Sequence, residues 1–564
     1  LHRVDRRQRQ MCIRDRLKTI DLFAGAGGLS LGFKMTGQFE LVAAAEINAN
    51  AKATYKKNLV GNNDGFTFID NVVGYDFAQL SEKVGGIDIV IGGPPCQGFS
   101  NANRQKNHLI SMNNGLVKEY FRAIKEIKPK AFVMENVSML RSDTHRFYES
   151  TKDNQEIEVL IAAGFDIPKR EDILYVANCQ YENIDFSLID EMDFTRFTIP
   201  KDLLQLLSVL GKNIGNKKRF PTYLEKHSAE IIRRIDDTLD TDRIDETIAA
   251  RLTIIKDSIS EVPLPDNKEE SDYKDKLNEL MLKVSEQEEV IRYIVSLQKM
   301  IETMEEISSN GLIGQYSVDD KGCLVYRVNS YSVNDYVNAI LGGEYIQKGD
   351  TVNAEWFGVP QERRRHIVIG IRRDLYGDVE LELPKAPDNL VVPTVGQAIM
   401  DLATYEVGYD KEFEEVAYTD VEVLSDYAKQ MREGSVSVKN HITTQTTETA
   451  LERFKQIQPG KNFHSLSKEM KSTYSKPERT QNTIYLRLEP DAPSGTVVNV
   501  RKSMWIHPTL DRAVTVREAA RLQSFPDSFE FVGTKDSQFQ QVGNAVPPLL
   551  AKGIAEKLLQ YINE

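Results

Sequence analysis

Apolar and polar positions follow two regimes along the chain. Between residues 18 and 135, short apolar runs alternate with amphipathic stretches such as 48–59 and 115–128; the runs are KTIDLF (18–23), ELVAAA (40–45), FTFI (66–69), IDIVI (87–91) and AFVM (131–134). Short runs rich in Ile, Val and Phe predict buried strands, and the segments between them predict helices. Repeated strand–helix–strand units imply an α/β fold with a parallel, doubly wound sheet. From about 141 to 327 the pattern becomes charged and helical. There Ile231, Ile235, Leu239, Ile244, Ile248, Leu252 and Ile255 recur at helical spacings, as do Leu277, Met281, Val284, Ile291, Leu297, Ile301 and Met304 beyond the break VPLPDN (262–267). This predicts two long amphipathic helices in an antiparallel hairpin. A solvated insertion without chemistry is favoured over a partner-binding arm. The strand pattern returns at HIVIGIRR (366–373), and 376–510 is irregular, polar and turn-rich. TVREAARLQ (515–523) and AVPPLLAKGIAEKLLQYI (545–562) predict helices, the second with two prolines in its first turn.

The 564 residues suffice for two to four domains. A net charge of −13 argues against a polyanion-binding protein until its distribution is considered. Residues 141–327 hold 25 basic and 38 acidic side chains, so the whole excess lies there and the remainder balances at 46 against 46. Residues 432–521 hold 15 basic and 9 acidic side chains, a local net of +6. Local charge decides where a polyanion docks. The four cysteines (Cys12, Cys96, Cys179, Cys323) form no CxxC pair, so neither a disulfide framework nor a zinc site is expected, and a reducing cytoplasm fits. No apolar run is long enough for a membrane helix. The Arg-rich first 16 residues, LHRVDRRQRQMCIRDR, lack periodicity and are expected to be non-native or disordered, with a true arginine-rich arm as the alternative.

The candidate chemistry starts at GGPPCQGFS (92–100), which follows the apolar run 87–91. Ligands and reacting groups of open α/β sheets gather at the carboxyl ends of strands. Two prolines hold Cys96 on a defined turn, where it is either a nucleophile or a small buried hydrophobe. DLFAGAGGLS (21–30) supplies a glycine-rich turn after the first strand, without the dinucleotide spacing G-x-G-x-x-G. Glu46 ends the second strand, where an acid can accept from both hydroxyls of a ribose, and Asp70 follows the third. Arg363 and Arg365 alternate in PQERRR, so in an extended strand both point to one face, together with Gln361.

Taken in order, DLFAGAGG, Glu46, GGPPCQGFS, MENV (134–137), GVPQERRR (358–365), REAARLQSFPD (517–527) and QVGNAVPP (541–548) resemble the cytosine-C5 DNA methyltransferase family over 18–140, 331–375 and 480–564. The charged block 141–327 departs from it. The resemblance implies a Rossmann-like class I methyltransferase sheet with a helical insertion and a smaller irregular target-recognition domain. The expected divisions are 1–16, a catalytic part 17–140, the acidic insertion 141–328, catalytic domain again at 329–375, target recognition at 376–510, and a C-terminal segment 511–564 folding back onto the catalytic domain. It implies S-adenosylmethionine as cofactor, lined by Phe23, Gly25, Gly27 and Gly28. Glu46 would hold the ribose, Ile47, Asp70, Asn71 and Pro94 would surround the adenine, and Asn544, Ala545 and Val546 would close the methionine end. Cys96 would attack C6 of a flipped cytosine, Glu135 would meet N3 and the exocyclic amine, and Arg363 and Arg365 would meet O2 and orient the site. Ser100, in a polar lid from 97 to 114, and Gln361 would contact the nucleic acid. No metal is implied. Double-stranded DNA, a cognate restriction endonuclease and a monomeric enzyme free of membranes are the expected associations. An RNA cytosine-C5 methyltransferase and a non-catalytic DNA-binding scaffold are the alternatives; the RNA-directed branch usually carries a CFT tripeptide, and no cysteine here precedes Phe.

Overall fold

The computed structural model describes residues 16–95, 113–136 and 146–562, apart from 178–183, 185, 187–188, 190–192, 242, 266–268, 270, 410–414, 420–422 and 475. Five strands run as expected: β1 (Leu17–Leu22), β2 (Phe39–Ala45), β3 (Thr67–Ile69), β4 (Ile89–Gly92) and β5 (Ala131–Asn136). All their mutual pairings are parallel. Four further strands, β6 (Arg146–Tyr148), β7 (Lys169–Tyr175), β8 (Gly314–Val318) and β9 (Leu324–Ser332), build a separate sheet. The chain then returns with β10 (Tyr345–Asn353) and β11 (Arg364–Arg372), which extend the first sheet to seven strands in the order β10-β11-β5-β4-β1-β2-β3. Both additions are antiparallel, so the sheet is mixed at one edge.

The described chain divides into two compact units, with Arg146–Asp335 forming the second. Its helices differ from the expected hairpin. The first apolar stretch is two helices, Arg219–Leu239 and Glu246–Ser260, and the second is Tyr273–Glu286 followed by Glu288–Ser309. Asp245 starts Glu246–Ser260 by accepting from the Thr247 N–H, which ends any continuity through the TDRID turn. A further helix, Lys201–Asn213, completes the bundle. The predicted apolar faces do meet in one core, where Ile231, Ile235, Leu252, Ile291 and Leu297 are fully buried. Gln298 is buried with them, and its amide is satisfied by the Ile199 N–H (3.0 Å) and the Phe197 carbonyl (2.7 Å). The insertion is therefore not purely helical, because β7 and β9 pair along seven residues.

In the first unit the main core joins the sheet to much of 376–510. Ile89, Val133 and Ile369 share it with Ile399, Tyr427 and Val497. A small satellite core gathers Phe454, Phe463, Tyr485 and Ile506. Helix Gly28–Met35, after β1, lies against helix Pro548–Ile562. The approach is so close that a Cβ on Gly32 would overlap the Ala551 methyl and the Pro548 carbonyl. Gly32→Ala is expected to destabilise this unit by about 1–3 kcal/mol, the usual cost of overpacking, read as a lowered urea midpoint.

Candidate active site

The carboxyl ends of β4 and β5 lie side by side because the strands pair in register, Gly92 opposite Met134. Gly93 and Pro94 leave β4 there, and Glu135 and Asn136 end β5. The Asn136 side chain donates to the Pro94 carbonyl at 3.3 Å, tying the two ends together. A Cβ on Gly93 would stand 3.0 Å from a carboxylate oxygen of Glu135. Cys96 and Ser100 lie outside the described residues.

β11 brings the third component. Ile367 pairs with Glu135, so Arg365, two residues earlier, shares its face. Its Nε meets Glu135 Oε1 at 2.7 Å, with both side chains about 15% exposed (16% and 15%). The structure thus brings Glu135 and Arg365 together beside the strand end that leads to Cys96.

Arg363 and Gln361 go elsewhere. Both precede the first residue of β11, so strand parity does not govern them. The Arg363 guanidinium is buried and donates to the carbonyls of Val497 (2.8 Å) and Gly543 (3.1 Å). Burial lowers its hold on its proton, Arg365 adds like-charge repulsion, and Glu135 opposes both. Gln361 is fully buried; its amide donates to Gln523 Oε1 (2.8 Å) and the Leu522 carbonyl (3.2 Å) and accepts from the Val497 N–H (2.6 Å). Neither side chain has the exposure that contact with a base or phosphate requires. Both instead clamp β11's approach to the segments around 497, 522 and 543. Sequence parity missed this because it carried the strand back to Gln361, three residues before β11 begins.

The expected cofactor end is formed by β1, β2 and the loop between β1 and helix Gly28–Met35. Phe23 and Gly25 have φ of 63° and 54°, and Gly27, capping the helix, has φ 96°, a conformation that favours glycine. Glu46 fastens this loop: Oε2 accepts from the Gly25 N–H (2.9 Å) and Oε1 from the Asn48 N–H (2.6 Å). Each oxygen retains a lone pair for a ribose hydroxyl. Space beyond Gly25 is open, and the neighbouring Ile47 is 81% exposed, an uncovered apolar side chain that suits the face of an adenine. Asp70 and Asn71 are exposed; Asp70 pairs with Lys52, and Asn71 Oδ1 accepts from the Val73 N–H. Pro94 is buried. Ala545 and Val546 are buried, and a Cβ on Gly28 would overlap the Val546 carbonyl, so the late segment stands against the glycine loop. Asn544 is exposed and accepts from Gln540. These residues fit an adenosyl cofactor.

Sequence reasoning assigned nothing to Asp21 or Ser30, which form a buried pair beneath this loop, with Ser30 Oγ donating to Asp21 Oδ2 at 2.6 Å. An acid inside an apolar strand run was the available signal. Among the described residues no group of three His, Cys, Asp or Glu could hold a metal ion, and no helix is long and apolar enough to cross a membrane.

Two variants separate the two arginine-bearing arrangements. Gly93→Ala should push Glu135 aside and lower kcat about tenfold or more while cofactor affinity, measured by calorimetry, stays unchanged. Arg363→Lys should orphan buried carbonyls, lower the melting temperature and weaken cofactor binding through the 543–546 segment.

Comparison with known proteins accords with this geometry. The C-5 cytosine-specific DNA methylase family model matches residues 17–339 and 323–560. The type II methyltransferase M.DdeI of Desulfomicrobium norvegicum is 25% identical over 97% of this chain and 89% of its own length. The DNA (cytosine-5-)-methyltransferase M.ApeKI of Aeropyrum pernix is 26% identical over 97% of this chain and 99% of its own. Among solved structures, a DNA modification methyltransferase encoded within an E. coli prophage superposes with a TM-score of 0.53 at 18% identity, covering 97% of this chain and all of that one, which speaks to the fold. The chain belongs to the C-5 cytosine-specific DNA methylase family, as a DNA (cytosine-5-)-methyltransferase whose methyl donor is S-adenosylmethionine.

Proposed function

We propose that the enzyme methylates a cytosine swung out of a specific duplex DNA site, through a covalent bond from Cys96 to C6, as the modification partner of a cytoplasmic restriction–modification system. The observation that carries this reading is the Glu135–Arg365 pair at the end of β5, beside the strand end that continues into Cys96.

Cytosine C5 is a poor nucleophile until a group adds at C6. A thiolate suits that task, since it attacks readily and leaves readily. As the Cys96 sulfur bonds to C6, negative charge grows on N3 and O2. Glu135 meets N3 with a proton and accepts from the exocyclic amine. Arg365 has guanidinium N–H groups beyond the one held by Glu135 and donates to O2, so fixed positive charge meets the charge that develops. Bound S-adenosylmethionine supplies the electrophilic methyl carbon. C5 takes the methyl group, its proton leaves to water, and the C6–sulfur bond breaks to restore the aromatic ring. A stacked base cannot be reached this way, so the target is flipped into the pocket. Ser100 contacts a phosphate beside it. Gln361 and Arg363 act at one remove, as clamps. S-adenosylmethionine would be held by Phe23, Gly25, Gly27 and Gly28, with Glu46 for the ribose, Ile47, Asp70, Asn71 and Pro94 for the adenine, and Asn544, Ala545 and Val546 for the methionine end.

The basic balance of 432–521 supports docking of DNA on this part of the chain, with Lys and Arg divided between phosphates and base edges. The relatives named as type II methyltransferases support pairing with a nuclease of the same recognition sequence.

With tritiated S-adenosylmethionine, label should enter duplex DNA; label in tRNA alone would overturn the reading in favour of RNA modification. Cys96→Ser should abolish turnover and spare cofactor binding. Duplex DNA bearing 5-fluorocytosine should trap a denaturant-resistant adduct with the native chain and none with Cys96→Ser, because fluorine cannot leave as the C5 proton does. Bisulfite sequencing of DNA from expressing cells should show protected cytosines in one short sequence.

A further inference from the structure

Asp21 is the penultimate residue of β1, and its carboxyl is buried. Oδ2 accepts from Ser30 Oγ at 2.6 Å, and Ser30 Oγ is also 2.7 Å from the Tyr55 hydroxyl. Ser30 belongs to the helix that the glycine loop opens, and Tyr55 to helix Ala49–Tyr55, which follows Glu46. The carboxyl therefore touches, through one hydroxyl, both elements that frame the donor pocket. Among the described residues Oδ1 has no hydrogen-bond partner, although it is buried. The groups that act on Asp21 electrostatically are Glu46, a like charge, and the buried phenols of Tyr55 and Tyr120. A buried carboxyl whose hydrogen bonds come from Ser30 alone, with an acid as neighbour, is a poor place for negative charge. Burial above all, with Glu46 adding to it, raises its pKa to about 7.

The clamps of Arg363 and the ribose role of Glu46 concern parts common to donor and product. The two ligands differ by one charge: S-adenosylmethionine carries a sulfonium cation, and S-adenosylhomocysteine, formed when the methyl group leaves, carries a neutral thioether. We propose that Asp21, beneath the glycine loop, discriminates the methyl donor from its demethylated product by ionising in response to the sulfonium charge. This rests on the cofactor placement proposed above. A cation entering the pocket supplies the field that the carboxyl lacks in the free protein, so the Asp21 O–H bond breaks and its proton passes to solvent. Linkage then requires that donor affinity rise with pH, while product affinity does not. When the methyl group has been transferred, the attraction is gone and the product is held less tightly. Asp21 touches neither ligand in this account; it is a positioning residue acting through Ser30 and through its field.

Calorimetric titration of the full chain with S-adenosylmethionine and with S-adenosylhomocysteine, from pH 5.5 to 8.5 in buffers of different ionisation enthalpy, tests this without reference to turnover. The ratio of donor to product affinity should rise about tenfold across that range, the effect of a one-unit shift in the carboxyl's pKa, and donor binding alone should release a proton. Asp21→Asn should flatten the ratio and abolish the release. Ser30→Ala, which removes the hydroxyl donor and leaves the carboxyl, should keep the rise and move its midpoint to higher pH, and it keeps the test open if Asp21→Asn fails to fold. A ratio independent of pH in the native chain, or a slope that survives in a folded Asp21→Asn, would overturn the proposal. Glu46→Ala distinguishes this from a misplaced pocket: it should weaken both ligands and move the midpoint of the rise to lower pH, and unchanged affinity for both would count against the cofactor site itself.

Discussion

The site depends on the antiparallel pairing of β11 with β5. Ile367 stands opposite Glu135, and the alternation of side chains then sends Arg365 to Glu135's face. A slip of one residue would turn Arg365 to the opposite face and present Arg364 or His366 instead. Three strand ends carry the constellation: β4 with Gly93 and Pro94, β5 with Glu135 and Asn136, and β11 with Arg365. Their pairing brings together residues that the whole second unit, Arg146–Asp335, separates in sequence.

Register alone would not hold β11 in place, since its first residues leave the sheet. Gln361 and Arg363 secure that end by bonding to buried groups of three other segments. The arrangement is costly in electrostatics. Arg521, also buried, is balanced by Asp527 and Asp401, each within 2.6 Å, whereas Arg363 rests on two carbonyls and leaves Nε without a partner among the described residues. A buried guanidinium held by backbone carbonyls contributes geometry more than stability. It fixes the distance between β11 and the 543–546 segment, and so links the Glu135–Arg365 pair to the segment that stands against the glycine loop.

The parallel strands were legible because they are buried on both faces and read as unbroken apolar runs. β10 was not, because it is the edge of the sheet and its sequence YIQKGDTVN is polar through its middle, with neither an apolar run nor a clean alternation. Strand direction leaves no mark on composition, so the antiparallel edge could not be read either. The insertion's helices kept their apolar faces but not their lengths: periodicity runs on across 239–246, although the Asp245 cap was a readable stop. Of the candidate site, Glu135 and Arg365 meet as their motifs implied. Gln361 and Arg363 do not join them, because a parity argument holds only inside a strand. Asp21 carried a signal, as an acid within the apolar run 18–23, but nothing in one dimension pairs it with Ser30.

The contact of Gly28 and Gly32 with residues 545–551 has a bearing on biosynthesis. Translation delivers the glycine loop before the second unit and the helix that backs it long after. The glycine loop is therefore backed only once residues 545–551 have been made and have packed against it. A defect in either segment is therefore felt by both, since each supplies the surface against which the other is fitted.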